Sequence, residues 1–309
     1  MPFWSRDKTR EMREAFEEIN SIIRELKERS GDAAVDTLHF KTRELILKFD
    51  DMSPSVYTRA REEIGSLGDR VGVAFACLIQ NQRFSDTRDL SMALSQIFLE
   101  KEDFYNSVNL ALFTGRLFFL KKRLDLALEI FNSITPIADL AGRMSENSNE
   151  PKLLVIWAHM NYDLSVWVDS CQLCIDEKVI ERGPEQLKQL LETGECGVRV
   201  AAARAAGAFK MNEALSALKE SLRDRESPVR REALRALAEI GDKSATPDII
   251  PCLSDRDDIV RFEAVETLRK IGDASIIATL KDLRDKEMDL ERQQIIDETI
   301  KELSEKKDL

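Results

Sequence analysis

The sequence predicts an all-α fold: an α-solenoid of stacked helical hairpins, preceded by a helical N-terminal region. Three observations carry this. Apolar residues recur at helical spacing almost throughout, and no run shows sustained β-alternation bounded by hairpin turns. The composition is 43% hydrophobic and 33% charged with only 12 Gly and 8 Pro, so helix breakers are scarce. Finally, "CGVRVAAARAAGAFKM" (196–211), "SPVRREALRALAEIGD" (227–242) and "DIVRFEAVETLRKIGD" (258–273) are near-copies spaced by 31 residues.

Residues 5–30 read as a long amphipathic helix, with Phe16, Ile19, Ile22, Ile23 and Leu26 on one face and Gly31 ending it. Asp32 is placed to cap a second helix running to about Phe49. Ser53-Pro54 supplies an N-cap and a first-turn proline for a third. Gly68-Asp69 then breaks that helix and starts the next, over "VGVAFACLIQ". Further helices are expected near 86–101, 103–121, 124–134, 136–146 and 151–178, the break at Thr135-Pro136 separating two of them. Glu181–Pro184 marks the expected boundary between residues 1–183, an all-helical region with degenerate repeats, and 184–309, the repeat array. One faint echo in the first region is "SPSVYTRAREEIGSLGD", which sets Val56, Ala60, Gly68 and Asp69 at the offsets of Val229, Ala233, Gly241 and Asp242.

The C-terminal part has the clearest order. Arg199, Arg230, Arg261 and Arg292 recur every 31 residues, and Asp224 and Asp255 each stand six positions before the next arginine. Val229, Ala233, Leu234, Leu237 and Ile240 form a helical apolar stripe, with Arg230, Arg231, Arg235 and Glu239 expected to face elsewhere. Gly241 is expected to end this helix, and Gly272 to do the same one period later. A shorter apolar helix follows each time: Leu215/Leu218/Leu222, then Ile249/Ile250/Leu253, then Ile276/Ile277/Leu280/Leu283. Each hairpin therefore needs neighbours on both sides.

On the motif "VRxEAxxxLxxIGD" of the second and third units, the segment from about 184 to 303 resembles short HEAT-like repeats of the phycobilisome lyase-type and armadillo-like kind. The first unit departs, with Lys210 where Gly241 and Gly272 stand; the fourth keeps Arg292 but has Glu291 for the valine and Leu303 for the glycine. "GPEQLKQLLETGECG" resembles half of an earlier repeat, and the polar "LSEKKDL" suits a terminal cap. "ALFTGRLFFLKKRLDLALEIF" is loosely similar to a tetratricopeptide repeat, with Gly115, Phe118 and Phe131 at suitable spacing. The resemblance implies a protein-binding scaffold or adaptor. It also brings two alternatives, a bilin-lyase-like chromophore-handling protein and a nucleic-acid-binding protein of the alkylated-base glycosylase kind.

Charge and chemistry narrow these. The formal charge of −11, from 57 acidic and 46 basic residues, is spread evenly, so no domain-scale basic field exists to condense on phosphate. Residues 184–309 hold only Phe209 and Phe262 as aromatic platforms, so nucleic acid is not the expected partner. The five cysteines are odd in number, the N-terminus lacks an apolar leader, and the most apolar windows are broken by polar residues. A cytoplasmic protein without a membrane span is expected. Cys171 and Cys174 form the only CxxC, lack a second ligand pair, and lie in an apolar helix, which reads as buried structural thiols. Di-iron HEAT-like hydroxylases bind metal through His-Glu pairs, whereas here Phe40 follows His39, Met160 follows His159, and there is no other histidine. No catalytic residue, metal or cofactor is therefore expected. The arginine ladder, with Asp224 and Asp255, is expected to brace turns between repeats. The candidates for partner contact lie on the second helices: Glu213, Lys219, Glu220, Arg223, Asp248, Lys281, Asp282 and Arg284.

Overall fold

Helix α1 (Trp4–Glu28) buries Phe16, Ile19, Ile22 and Ile23, the stripe its spacing marks out. They share one core with Leu38, Leu45 and Phe49 of α2 (Asp32–Asp50), the Phe16 and Phe49 rings standing 6.0 Å apart. The computed structural model describes residues 4–28, 32–50, 52, 57, 67–146, 151–287 and 290–305, and those residues form helices and their connections, without a strand. Gly31 and the Ser53-Pro54, Val56 and Ala60 positions of the expected third helix lie outside them, as does the side chain of Leu26. Contacts divide the chain into two units, Met1–Cys171 and Gln172–Leu309.

The first unit continues with α3 (Leu67–Gln80), α4 (Phe84–Glu100), α5 (Phe104–Leu120), α6 (Leu124–Glu146) and α7 (Pro151–Asp176), the last running on into the second unit. Gly68 and Asp69 fall inside the first turn of α3 rather than before it. Helices α3, α4 and α5 share a shorter repeat that the sequence reading passed over. Each is followed by a non-glycine residue in the left-handed region, Gln82 (φ 62), Glu102 (φ 60) and Lys122 (φ 59), at a constant 20-residue spacing. Each closes its helix in the same way. Lys122 N–H donates to Phe119 O at 2.8 Å and Arg123 N–H to Phe118 O at 2.9 Å, and the other two turns repeat this pair of bonds. This is the Schellman closure, which satisfies carbonyls that a helix end leaves open.

The expected break at Thr135-Pro136 does not occur: α6 is one helix with Pro136 inside it. Pro136 removes one N–H, but Ile130, Ile134, Ala138 and Ala141 keep a continuous buried face across it, and burial of that face outweighs the missing bond. The Thr135 hydroxyl donates to Phe131 O at 2.9 Å beside the proline. Phe131 stacks on Trp167 of α7 with centroids 6.2 Å apart, and Phe119 meets the same indole edge-on at 5.2 Å.

The second unit is a stack of helical hairpins. After the short α8 (Val179–Arg182) come α9 (Pro184–Thr193), α10 (Cys196–Ala208), α11 (Leu215–Ser221) and α12 (Ser227–Ile240). They are followed by α13 (Thr246–Ile249), α14 (Asp258–Ile271), α15 (Ile277–Arg284) and α16 (Leu290–Glu305). The first helices α10, α12, α14 and α16 pack side by side in chain order, with α9, α11, α13 and α15 as their partners. Pro251 cannot donate into a continuing α-helix, so α13 passes into a 3-10 segment, Ile250–Ser254. The "GD" of the motif divides its work between two residues. Gly241 ends α12 at φ 83, whereas Asp242 accepts from Ser244 N–H at 2.8 Å and caps the segment that follows. Asp273 does the same with Ser275 N–H, also at 2.8 Å.

Gly272 ends its helix as expected, but in a different conformation from Gly241. It ends α14 in an extended conformation (φ −71, ψ 170), and its glycine is required because a Cβ would lie 2.4 Å from Leu268 O. Lys210, at the glycine position of the repeat that begins with α10, adopts the left-handed conformation itself (φ 51).

Candidate functional site: the second-helix face of the C-terminal repeats

The arginine ladder is built into the stack. Arg199 grips Asp224 through Nε and Nη2 at 2.8 and 3.0 Å, and its Nη1 donates to Gly194 O at 2.7 Å. One period later Arg230 grips Asp255 in the same fork at 2.8 and 2.7 Å, while its Nη1 donates to Asp224 O at 2.8 Å. Each Asp thus offers its carboxylate to the arginine of its own hairpin and its carbonyl to the arginine of the next. Burial alone would push the Asp255 carboxyl up; hydrogen bonds from Arg230 and Asp257 N–H outweigh it and hold the group below its ordinary value. The same fork raises the Arg230 guanidinium. Arg261 keeps only half of the arrangement, donating to Asp255 O at 2.8 Å, because Lys286 stands where an aspartate would be needed. Arg292 turns instead to Asp258, at 2.7 Å.

A second ladder runs deeper, and the sequence reading missed it. Arg204 Nε lies 2.6 Å from Glu232, whose side chain is fully buried. One period on, Arg235 Nε donates to Glu263 at 2.9 Å and its Nη1 reaches back to Glu232 at 3.5 Å. Arg231 stands 3.7 Å from Glu263. Arg230 and Arg231 are therefore buried, and Arg235 and Glu239 half-buried, rather than turned away from the core. Arg231 and Arg235 are tolerated there because the neighbouring repeat supplies Glu263, and Arg230 because its own hairpin supplies Asp255. The available signal was the 31-residue recurrence of Arg204/Arg235 and of Glu232/Glu263.

The second helices carry the candidate contact residues. Glu213, Glu220 and Arg223 are exposed around α11, and Lys281, Asp282 and Arg284 along α15. Three of the eight are engaged within the chain. Lys219 Nζ lies 3.3 Å from Asp248 and donates to Ser244 O at 2.9 Å, tying α11 to the next hairpin. Arg284 Nε lies 3.2 Å from Asp297 of α16. Between α9 and α11 the face opens into a cavity of about 460 Å3 with Leu191, Ala217 and Ser221 among its lining, Glu192 and Glu220 beside them, and the Arg199–Asp224 fork. An adjoining cavity of about 490 Å3 along α8 and α9 shares Glu192.

The remaining chemistry is quiet. Cys171 and Cys174 are buried and form no disulfide, and burial pushes Cys174 up to about 12, well away from a reactive thiolate. His39 Nε2 stands 3.9 Å from Asp86, and His159 Nδ1 lies 3.0 Å from Val155 O on its own helix. Among the described residues no helix is long and apolar enough to cross a membrane.

One family comparison agrees with the repeats seen in residues 222–298. The family model of HEAT repeats matches residues 222–298, and that part of the α-solenoid is built of HEAT-like helical repeats. No curated protein matches the chain. Among solved structures, the chain is similar to human deoxyhypusine hydroxylase in complex with glycerol, at 13% identity over 89% of this chain and 100% of that one, with a TM-score of 0.45. It is also similar to an engineered protein, at 15% identity over 98% of this chain and 97% of that one, with a TM-score of 0.34.

Proposed function

We propose that the chain is a non-catalytic scaffold or adaptor that holds a polar segment of another protein along the second-helix face of its C-terminal repeats. One observation carries this reading: the division of charge between the two sides of the repeats. Buried arginines are matched by carboxylates of their own hairpin, as in Arg230–Asp255, or of the neighbouring one, as in Arg204–Glu232, whereas Glu213, Glu220, Arg223, Lys281 and Asp282 stay at the surface of the second helices. A repeat stack of this kind offers a long contact surface without a catalytic constellation.

Site-specific photo-cross-linking in cells tests the reading. A photoreactive residue at Glu220 or Lys281 should yield discrete protein adducts, and one at Lys270, exposed on the first helix α14, should not. Adducts from Lys270 alone, or from none of the three, would refute it.

A further inference from the structure

We infer that the occupant of the groove between α9 and α11 is an extended segment of a partner protein that places a lysine or arginine side chain in it; this rests on the protein-binding reading above. The groove is lined mainly by polar side chains, with Leu191 and Ala217 as its apolar part. Leu191, Ala217 and Ser221 are buried there, and the Ser221 hydroxyl donates to Ala217 O at 2.8 Å within its own helix. Leu191 and Ala217 give an aliphatic stem a surface to pack on. At about 460 Å3 the groove is of ligand size, within the usual range of roughly 300–1,000 Å3, and is too small for a whole helix.

Charge decides what enters. The Arg199–Asp224 fork that lines the groove is internally neutral and mostly buried, the two side chains being 12% and 14% exposed. Arg225, also among the lining residues, stands 3.3 Å from Glu226. What remains are Glu192 and Glu220, both exposed, and among the described residues neither has an ion-pair partner. The wider α9–α11 face keeps the same sign. Glu185 and Glu213 are likewise unpaired among the described residues, against only Lys188 and Arg223, because Lys219 is held by Asp248. A cation on a flexible stem answers this geometry: its methylenes cover Leu191 and Ala217, and its head reaches Glu192 and Glu220. An anionic segment would meet four carboxylates instead.

The test uses the full chain, isotope-labelled for amide NMR, and two synthetic probes on one Gly/Ser/Ala background: an arginine-containing peptide and its aspartate counterpart. The arginine peptide should shift amides of α9 and α11 saturably, and added salt should weaken it. Its affinity should fall roughly fivefold or more in the double variant Glu192→Gln/Glu220→Gln. Both residues are exposed, so an unchanged melting temperature will show that the variant is folded. Equal response to the aspartate peptide, shifts confined to other elements, or no response to either probe would overturn the inference. The cross-links from Glu220 and Lys281 separate the two claims. Adducts without an arginine-peptide response would refute the cationic occupant alone, and loss of both would refute the protein-binding reading as well.

Discussion

Arg230 touches Asp255 with two nitrogens and the carbonyls of Asp224 and Arg225 with a third, so one side chain closes a turn and joins two hairpins. The linkage has a pH signature. The Asp255 carboxyl titrates below its unfolded value of about 3.9, so its contribution is fully present above that pH. It is lost as pH falls through the depressed folded value. Asp255→Asn should therefore be less stable than the parent near neutrality, with the gap narrowing on acidification. Urea midpoints across an acid series will show this, and a gap that widens toward low pH would contradict it. A second residue-scale test exploits the left-handed turns. Gly241→Ala, at φ 83, should cost about 1 kcal/mol, and Lys210→Gly, at φ 51, should stabilise by up to about 1 kcal/mol. Thermal melts of the two variants should move in opposite directions. The ladder was legible because four arginines share one spacing, but its wiring was not. An aspartate six residues ahead of an arginine suggests a local pair, whereas the carboxylate belongs to the arginine 25 residues before it.

At the level of elements, the buried Arg204–Glu232 pair shows why part of the architecture escaped the sequence. A charged residue in mid-helix reads as solvent face, because few charges are buried without a partner. Here the partner comes from another repeat and is invisible until the helices are stacked. Removing one member should leave a buried charge only partly answered, since Arg235 stands 3.5 Å from Glu232. Arg204→Met is expected to cost about 3 kcal/mol, and Arg204→Met/Glu232→Leu to recover most of that loss. Chemical denaturation of both variants gives the comparison, and a double variant as unstable as the single one would show that the pair does more than neutralise itself. The 20-residue helix step of the first unit was hidden for a related reason. Its turns use Gln82, Glu102 and Lys122 where a glycine would have announced the left-handed residue. Pro136 misled in the opposite direction, since a strong local breaker lost to a continuous buried face.

For the molecule as a whole, the helical-hairpin architecture of the second unit followed from one repeated motif, whereas the sign of its groove did not. Glu220 and Lys219 are neighbours in sequence, and only folding shows that Asp248 neutralises the lysine while the glutamate stays open. Stacking also implies that the last hairpin must be covered. Leu268 and Val265 of α14 and Leu280 of α15 are buried, as are Ile296, Thr299 and Leu303 of α16, which packs against both helices. Helix α16 thus presents its apolar side to the stack and leaves Gln294, Asp297, Glu298, Lys301 and Glu302 at the surface. A chain ending at Glu287 should expose α14 and α15, bind a hydrophobic dye strongly and unfold at lower temperature. Replacing Ile296 and Leu303 with serine in the full chain should have the same effect without shortening it, because each change sets a hydroxyl into the apolar contact. In repeat arrays such damage travels only through nearest neighbours. Amide exchange should therefore accelerate most in α14 and α15 and least in α9 and α10. Uniform acceleration along the second unit would mean that it unfolds as one cooperative block, and that the groove between α9 and α11 depends on the far end of the stack.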